Sequence, residues 1–240
     1  KTVHMKLFSR LCTCLPVGFM FIALNTKSQV IPDPLSTYNK HLAERWSGEY
    51  MQVSQYKVKG SPYLLGKAFP GTVKFADGNT INNVQITYDL YNEKVSFEKD
   101  SLFFELDKLI KEFSIMLPAE YGNTNLVFRN AASFGDTKKK GYYNIISESG
   151  KYVFMKEFKL KLVPDPANTL AKDYKMFEQY YEYLLYDTSG RNLSKIKLNK
   201  KSVLSFFQNK SAAEKEINDS RIDVSTEAGV SLLLTRIGSL

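Results

Sequence analysis

The chain has 240 residues, 43% of them apolar and 13% aromatic, with 33 Lys and Arg against 25 Asp and Glu and a formal charge of +8. A chain of this length can bury something like 70% of its unfolded surface, so the composition excludes a disordered chain and points to one or two folded domains. Two cysteines, Cys12 and Cys14, and two histidines, His4 and His41, exclude a disulfide scaffold and leave little for a zinc site.

Met5 reads as the natural start. Lys6 and Arg10, the apolar run Leu11 to Leu24, and the small Thr26 and Ser28 then form a secretory signal cut before Gln29. The run is interrupted by Pro16 and Gly18 and falls short of the roughly 20 residues needed to span a bilayer. Cleavage removes both cysteines and four basic residues, leaving a formal charge of +4 and no thiol. The expected address is the periplasm or the outer-membrane periphery.

Leu42 and Trp46 at helical spacing suggest a short helix near 36–46. From Gly71 the period changes to two, through "GTVKFADGNTINNVQITYDLY". Val73 and Phe75 form a strand, and Asp77-Gly78 supplies the two positive-φ residues of a tight hairpin. Val84, Ile86, Tyr88 and Leu90 then face a core, while Gln85, Thr87, Asp89 and Tyr91 face away. Further alternation through Val95, Phe97, Leu102 and Phe104 predicts an antiparallel meander over 71–117. A strand follows at "NLVFR", then hairpins turning at "SESG" and at Thr188–Arg191. The last predicted elements are helices: one marked by Val203, Phe206 and Phe207, a capping box of Ser211 and Glu214, and a final helix with Ser225 as cap and Glu227 in its first turn.

The expected layout is a signal at 1–28, an N-terminal segment at 29–66, an antiparallel β domain at 67–198 and helices at 199–240 packing on it. This is an α+β fold, mostly antiparallel β meander and hairpins, with a short helical C-terminal pair.

Candidate chemistry is sparse. His41 lies in a polar segment without a nucleophile beside it. "SQYK" at 54–57 and "SKIK" at 194–197 match the Ser-x-x-Lys pattern, but Ser194 and Lys197 fall on a strand, where i and i+3 point to opposite faces. Asp89, Glu98, Glu105, Glu157 and Glu182 lie on strands and would serve a glycosidase only if two of them met across a cleft. "NDSRID" at 218–223 lacks the glycine and glutamate of a calcium loop, and neither standard phosphate-binding glycine loop occurs. Lysines at 138–140, 159, 161, 200 and 201 suit solubility and edge protection better than nucleic acid in an exported protein. No cofactor, metal or catalytic set is therefore expected. Tyrosines are the residue class left for recognition, with Thr87, Asp89 and Tyr91 on one strand and Tyr180, Tyr181 and Tyr183 on another.

Two patches carry a resemblance. "FPGTVKFADGNTINNVQITYDLYNEKVSF" at 69–97, and "GYYNIISESGKYVFMKEF" followed by "YYEYLLYDTSGRNLSKIKLNKKSVLSFF", resemble a group of uncharacterised exported, signal-peptide-bearing proteins common in Bacteroidota. The resemblance covers roughly residues 69–237 and implies an envelope address without catalytic residues to carry over. The ending "STEAGVSLLLTRIGSL" departs from the aromatic ending of that group. The expected function is non-catalytic binding of an envelope protein or surface polymer. The alternatives are a carrier with an apolar cavity lined by Tyr88, Leu90, Phe97 and Phe104, and a carboxylate-pair hydrolase.

Overall fold

From Phe69 onward, apolar and polar residues alternate and the backbone is extended, so that the protein is mostly β with helices near its C-terminus. The computed structural model describes residues 46–47, 50–99, 102–105, 109–168, 170 and 172–238. The expected signal at 1–28 lies outside the described residues, as does the expected helix near 36–46 up to Trp46, which begins a strand.

The early strands are β1 (Trp46–Ser47), β2 (Tyr50–Val53), β3 (Tyr56–Lys59), β4 (Phe69–Phe75), β5 (Thr80–Asp89), β6 (Lys94–Lys99) and β7 (Leu102–Glu105). They are followed by β8 (Ile110–Met116), β9 (Asn125–Asn130), β10 (Tyr142–Ser149), β11 (Tyr152–Pro164), β12 (Tyr174–Asp187) and β13 (Asn192–Ile196). All belong to one sheet in the order β1-β2-β3-β12-β11-β10-β9-β8-β4-β5-β6-β7, with β13 also paired to β12. Three helices end the described chain: α1 (Lys200–Phe206), α2 (Lys210–Asp219) and α3 (Glu227–Gly238).

Four sequence expectations need correcting. The 71–117 segment is not a simple meander, because β8 returns to pair with β4 on the side away from β5. That placement lets Phe113 of β8 lie opposite Val73 of β4, with both fully buried. The sheet is also not wholly antiparallel, since β3 runs parallel to β12. The Asp77-Gly78 turn spans Ala76–Asn79, and only Gly78 has a positive φ, 89°. Asp77 serves it through its side chain, which accepts from the amide of Asn79 at 3.0 Å. Finally, the helices number three among the described residues, because Phe207 is extended (ψ 137°) and separates α1 from α2.

The caps also differ from the sequence reading. Asn209 caps α2, accepting from Ala212 N–H at 3.0 Å, so Ser211 lies inside the helix. Thr226 caps α3 by accepting from Gly229 N–H at 3.0 Å, while Ser225 bonds back to Asp223. In each case a neighbouring polar side chain reaches the free amides first, and one acceptor is enough to fix the start.

The sheet curls strongly. Six strand spacings separate β5 from β12, which in a flat sheet would be about 29 Å. Yet the ring of Tyr91, just after β5, lies 5.8 Å from that of Phe177 on β12. The segment after β3 seals the seam: Leu90 N–H donates to Pro62 C=O at 2.9 Å, and the Gln179 amide donates to Tyr63 C=O at 2.6 Å. The concave face so formed is filled by Val73, Val84, Ile86, Tyr88, Phe97, Phe113 and Phe128, with Phe113 and Phe128 stacked at 4.7 Å. Of the expected wall of a ligand cavity, Tyr88, Leu90 and Phe97 are core residues, Tyr88 packed on the rings of Phe113 and Phe128, and the Phe104 side chain lies outside those described. Farther along the same face the helices cover Tyr152, Phe154, Leu185 and Ile196 through Val203, Ile217, Val230, Leu233 and Leu234. Rings of this size bury 150–250 Å² each, so these clusters supply most of the folding drive.

Candidate functional site

β12 is bordered by β11 along its whole length, from Tyr174–Lys175 to Asp187. Its other side is paired only at the ends: β3 covers Tyr174–Met176 and β13 covers Tyr183–Asp187. Between them, Phe177–Glu182 has no strand partner on that side among the described residues. Two local turns create the gap. At one end Gly60 adopts φ 93°, which a side chain would resist, and turns β3 off the edge beside Phe177. At the other end the chain turns at Leu198, with Asn199 N–H donating to Lys197 C=O at 2.8 Å. Ser202 Oγ accepts from Lys197 N–H and Asn199 Oδ1 accepts from Ser202 N–H, both at 2.9 Å. The chain therefore leaves the ladder after Ile196, before it supplies a partner for Tyr181.

A cleft of about 650 Å³ opens at this second end. Tyr181, Tyr183, Ile196 and Leu198 line it from the concave face, and Glu182, Lys195 and Lys197 from the opposite face. Tyr181 is 50% exposed and Tyr180, on the other face of the strand, 37%. Behind the tyrosines, Lys156 Nζ sits 4.5 Å from the Tyr181 ring centre and 2.6 Å from Glu227 Oε1, which also accepts from the Tyr183 hydroxyl at 2.7 Å. Burial, and then that carboxylate, push the Tyr183 phenol well above its ordinary pKa, so it stays a neutral donor. The carboxylate also lies in the first turn of α3, where the helix dipole favours it.

On the opposite face, Glu157 of β11 and Glu182 of β12 are cross-strand neighbours. Both contact one ammonium, Lys159 Nζ, at 3.4 and 2.6 Å, so two of the strand carboxylates do meet. Lys139 Nζ adds 2.8 Å to Glu157, and Lys195 Nζ 2.7 Å to Glu182. Lys159, then Lys195, hold the Glu182 carboxyl below its usual range. Burial pulls the Lys159 ammonium down, but Glu182 and Glu157 outweigh it and leave it above the ordinary lysine value. A glycosidase pair needs one carboxyl raised so that it can donate a proton. Glu182, held low, is a carboxyl that stays ionised, and through its lysines the cluster ties β11, β12 and β13 together.

The expected recognition residues divide. Thr87 is 5% exposed and lies opposite Ser96, and Asp89 is 8% exposed. Asp89 organises the turn after β5: its Oδ1 accepts from the amides of Tyr91 and Asn92 at 2.8 and 2.9 Å, and its Oδ2 from the Asn92 side chain at 2.7 Å. Alternation placed both on the solvent face, but both are buried, Asp89 beside Tyr63, so neither offers a surface. Tyr91 is half exposed and leans on Phe177 at the far end of the gap. Tyr180, Tyr181 and Tyr183 lie along the unpaired stretch itself or at its end. The sequence reading missed Lys156, weighed Lys197 only within a Ser-x-x-Lys match, and missed Leu198. The break of β13 at "IKLNKKS" was the signal that could have found the last two.

Among the described residues no group of three or more His, Cys, Asp and Glu side chains is placed to hold a metal ion, and no helix is long and apolar enough to cross a membrane. Lys57 of the first Ser-x-x-Lys match bonds the Tyr174 hydroxyl at 3.0 Å, and Ser194 of the second bonds Asn192 at 3.4 Å. Comparison of the chain with protein-family models, with curated proteins and with solved structures finds no match.

Proposed function

We propose that this is a non-catalytic exported protein of the cell envelope that holds a partner protein or surface polymer at the tyrosine-lined cleft beside β12. One observation carries the reading: Tyr181, a large side chain with a polar tip, stands half exposed over a cleft of about 650 Å³ next to main chain that no described strand covers. In this reading the antiparallel β domain provides a rigid wall, and the helical layer holds β13 away from the rest of the edge. Periplasm or outer-membrane periphery is the address that the signal at 1–28 supports.

A photo-crosslinking amino acid placed at Tyr181 in the host tests this. The reading expects a covalent adduct with an envelope component from position 181 and none from Tyr121, which is exposed on a turn elsewhere. Absence of any adduct at 181 would count against it. So would hydrolysis of a glycan, ester or peptide by the purified protein that Glu182→Gln abolishes.

A further inference from the structure

The binding partner can be narrowed by asking where the main-chain groups of β12 point. In an antiparallel ladder, residues alternate between sending both N–H and C=O to one neighbour and both to the other. Two bonds just at the ladder's ends fix the phase: Asp165 N–H donates to Tyr174 C=O at 3.2 Å, and Thr188 N–H to Lys151 C=O at 2.9 Å. Both place even-numbered residues towards β11, and the intervening register runs without a shift. Odd-numbered residues therefore face the gap. Gly60 lies against Phe177, so Gln179 and Tyr181 present two amides and two carbonyls there with no partner from the described residues.

Resting on the binding reading above, we infer that the gap is a strand-addition slot that takes an extended peptide of alternating apolar and acidic residues, continuing β13 past Ile196. Such a peptide makes up to four main-chain hydrogen bonds to Gln179 and Tyr181 and fills the line that the chain leaves at Leu198. Its residue opposite Tyr181 points to the concave face, where Tyr181, Tyr183 and Leu198 give an apolar wall, and its residue opposite Gln179 points beside the Tyr63–Leu65 segment that holds the Gln179 side chain. The residue between them points to the opposite face, towards Lys159, Lys161 and Lys197. Glu178 and Glu182 on that face are already paired, with Lys161 at 2.9 Å and with Lys159 and Lys195, whereas Lys197 is exposed and forms no ion pair among the described residues. The alternation of the slot thus matches an apolar-acidic pattern, and charge complementarity disfavours a basic one. Strand edges are normally protected, so an open stretch flanked by two paired ones is also a place where natural chains accept a guest strand.

The probe is a fluorescent peptide of sequence Val-Glu-Val-Glu-Val with blocked ends, titrated into the full chain and followed by anisotropy. The inference expects saturable binding. It also expects about tenfold or greater weakening when a slot-facing peptide nitrogen is methylated, the weight of a main-chain bond left unmade. Tyr181→Pro removes one slot-facing N–H without touching the β11 ladder and is expected to weaken binding similarly, and Lys197→Glu to weaken this peptide while favouring Val-Lys-Val-Lys-Val. The methylated peptide keeps the test valid should the proline variant fold poorly. Indifference to methylation overturns the inference, as does equal binding of the lysine peptide to the unmodified chain. A dimer abolished by Tyr181→Pro overturns it as well, since a second copy would then be the guest. If the peptides fail while position 181 still crosslinks in envelopes, strand addition falls and the binding reading stands. If both fail, both fall.

Discussion

Gly71 lets β4 lie close against β8. A Cβ built there would fall inside the Ser114 carbonyl oxygen and 2.8 Å from Ile86 Cδ1, at the point where the β4 to β5 register shifts. Backbone on one side and core on the other cannot give way, so Gly71→Ala is expected to lower stability by about 2 kcal/mol or more in a denaturant melt. A change under about 0.5 kcal/mol would mean that β4 and β8 are farther apart than described. Glu182 makes a second prediction at this scale. Lys159 and then Lys195 depress its folded pKa, so its stabilisation is present above the unfolded carboxyl value of about 4.3 and is lost as pH falls through the lower folded one. Denaturation midpoints followed down through that window should fall more steeply for the unmodified chain than for Glu182→Gln. Parallel slopes would contradict the network. The "PG" pair and the strand carboxylates were visible as letters. That Gly71 meets Ser114 and Glu182 meets Lys195 was not, because both contacts depend on register between strands distant in sequence.

At the scale of elements, alternation revealed strands well and helix starts less well. Val84, Ile86, Tyr88 and Leu90 are buried as their spacing required, and Phe158 and Leu160 pack against the core. Thr87 and Asp89 were misplaced because period two identifies two faces but cannot say that both are covered. The capping box at Ser211 failed for a nearer reason: Asn209 is as good a cap and stands two residues earlier. Thermal or denaturant melts should show Asn209→Ala losing about 1 kcal/mol, with Ser211→Ala within about 0.5 kcal/mol of the unmodified chain. The reverse order would move the start of α2 to Ser211. Caps also bear on the site, because Asn199 and Ser202 lift the chain away from β12 and so open the cleft.

Across the whole molecule the sheet curls until the end of β5 meets β12, and that curl is what a sequence read in short windows does not contain. The rings of Tyr88 on β5 and Tyr142 on β10 are 5.7 Å apart, although three strands lie between them in the sheet. Burial is the first cause that raises the phenols of Tyr88, Tyr143 and Tyr183, the last two aided by Asp136 and Glu227. A raised phenol favours the folded state below its unfolded pKa of about 10 and ceases to do so as pH rises through the folded value. Alkaline titration of the 15 tyrosines should therefore show exposed phenols ionising first and a later step that coincides with unfolding by circular dichroism. One smooth transition completed in the folded protein would contradict the packing.

Among the described residues the same curled sheet leaves the Phe177–Glu182 stretch of β12 without a strand partner on one side, and amide hydrogen exchange reads it directly. In the free full chain, Gln179 and Tyr181 should exchange far faster than Tyr180 and Glu182, whose amides bond to β11. The apolar-acidic peptide should then slow Gln179 and Tyr181 and leave the even positions unchanged. Protection of Gln179 and Tyr181 before any peptide is added, or exchange without the odd-even alternation, would contradict the open slot beside β12.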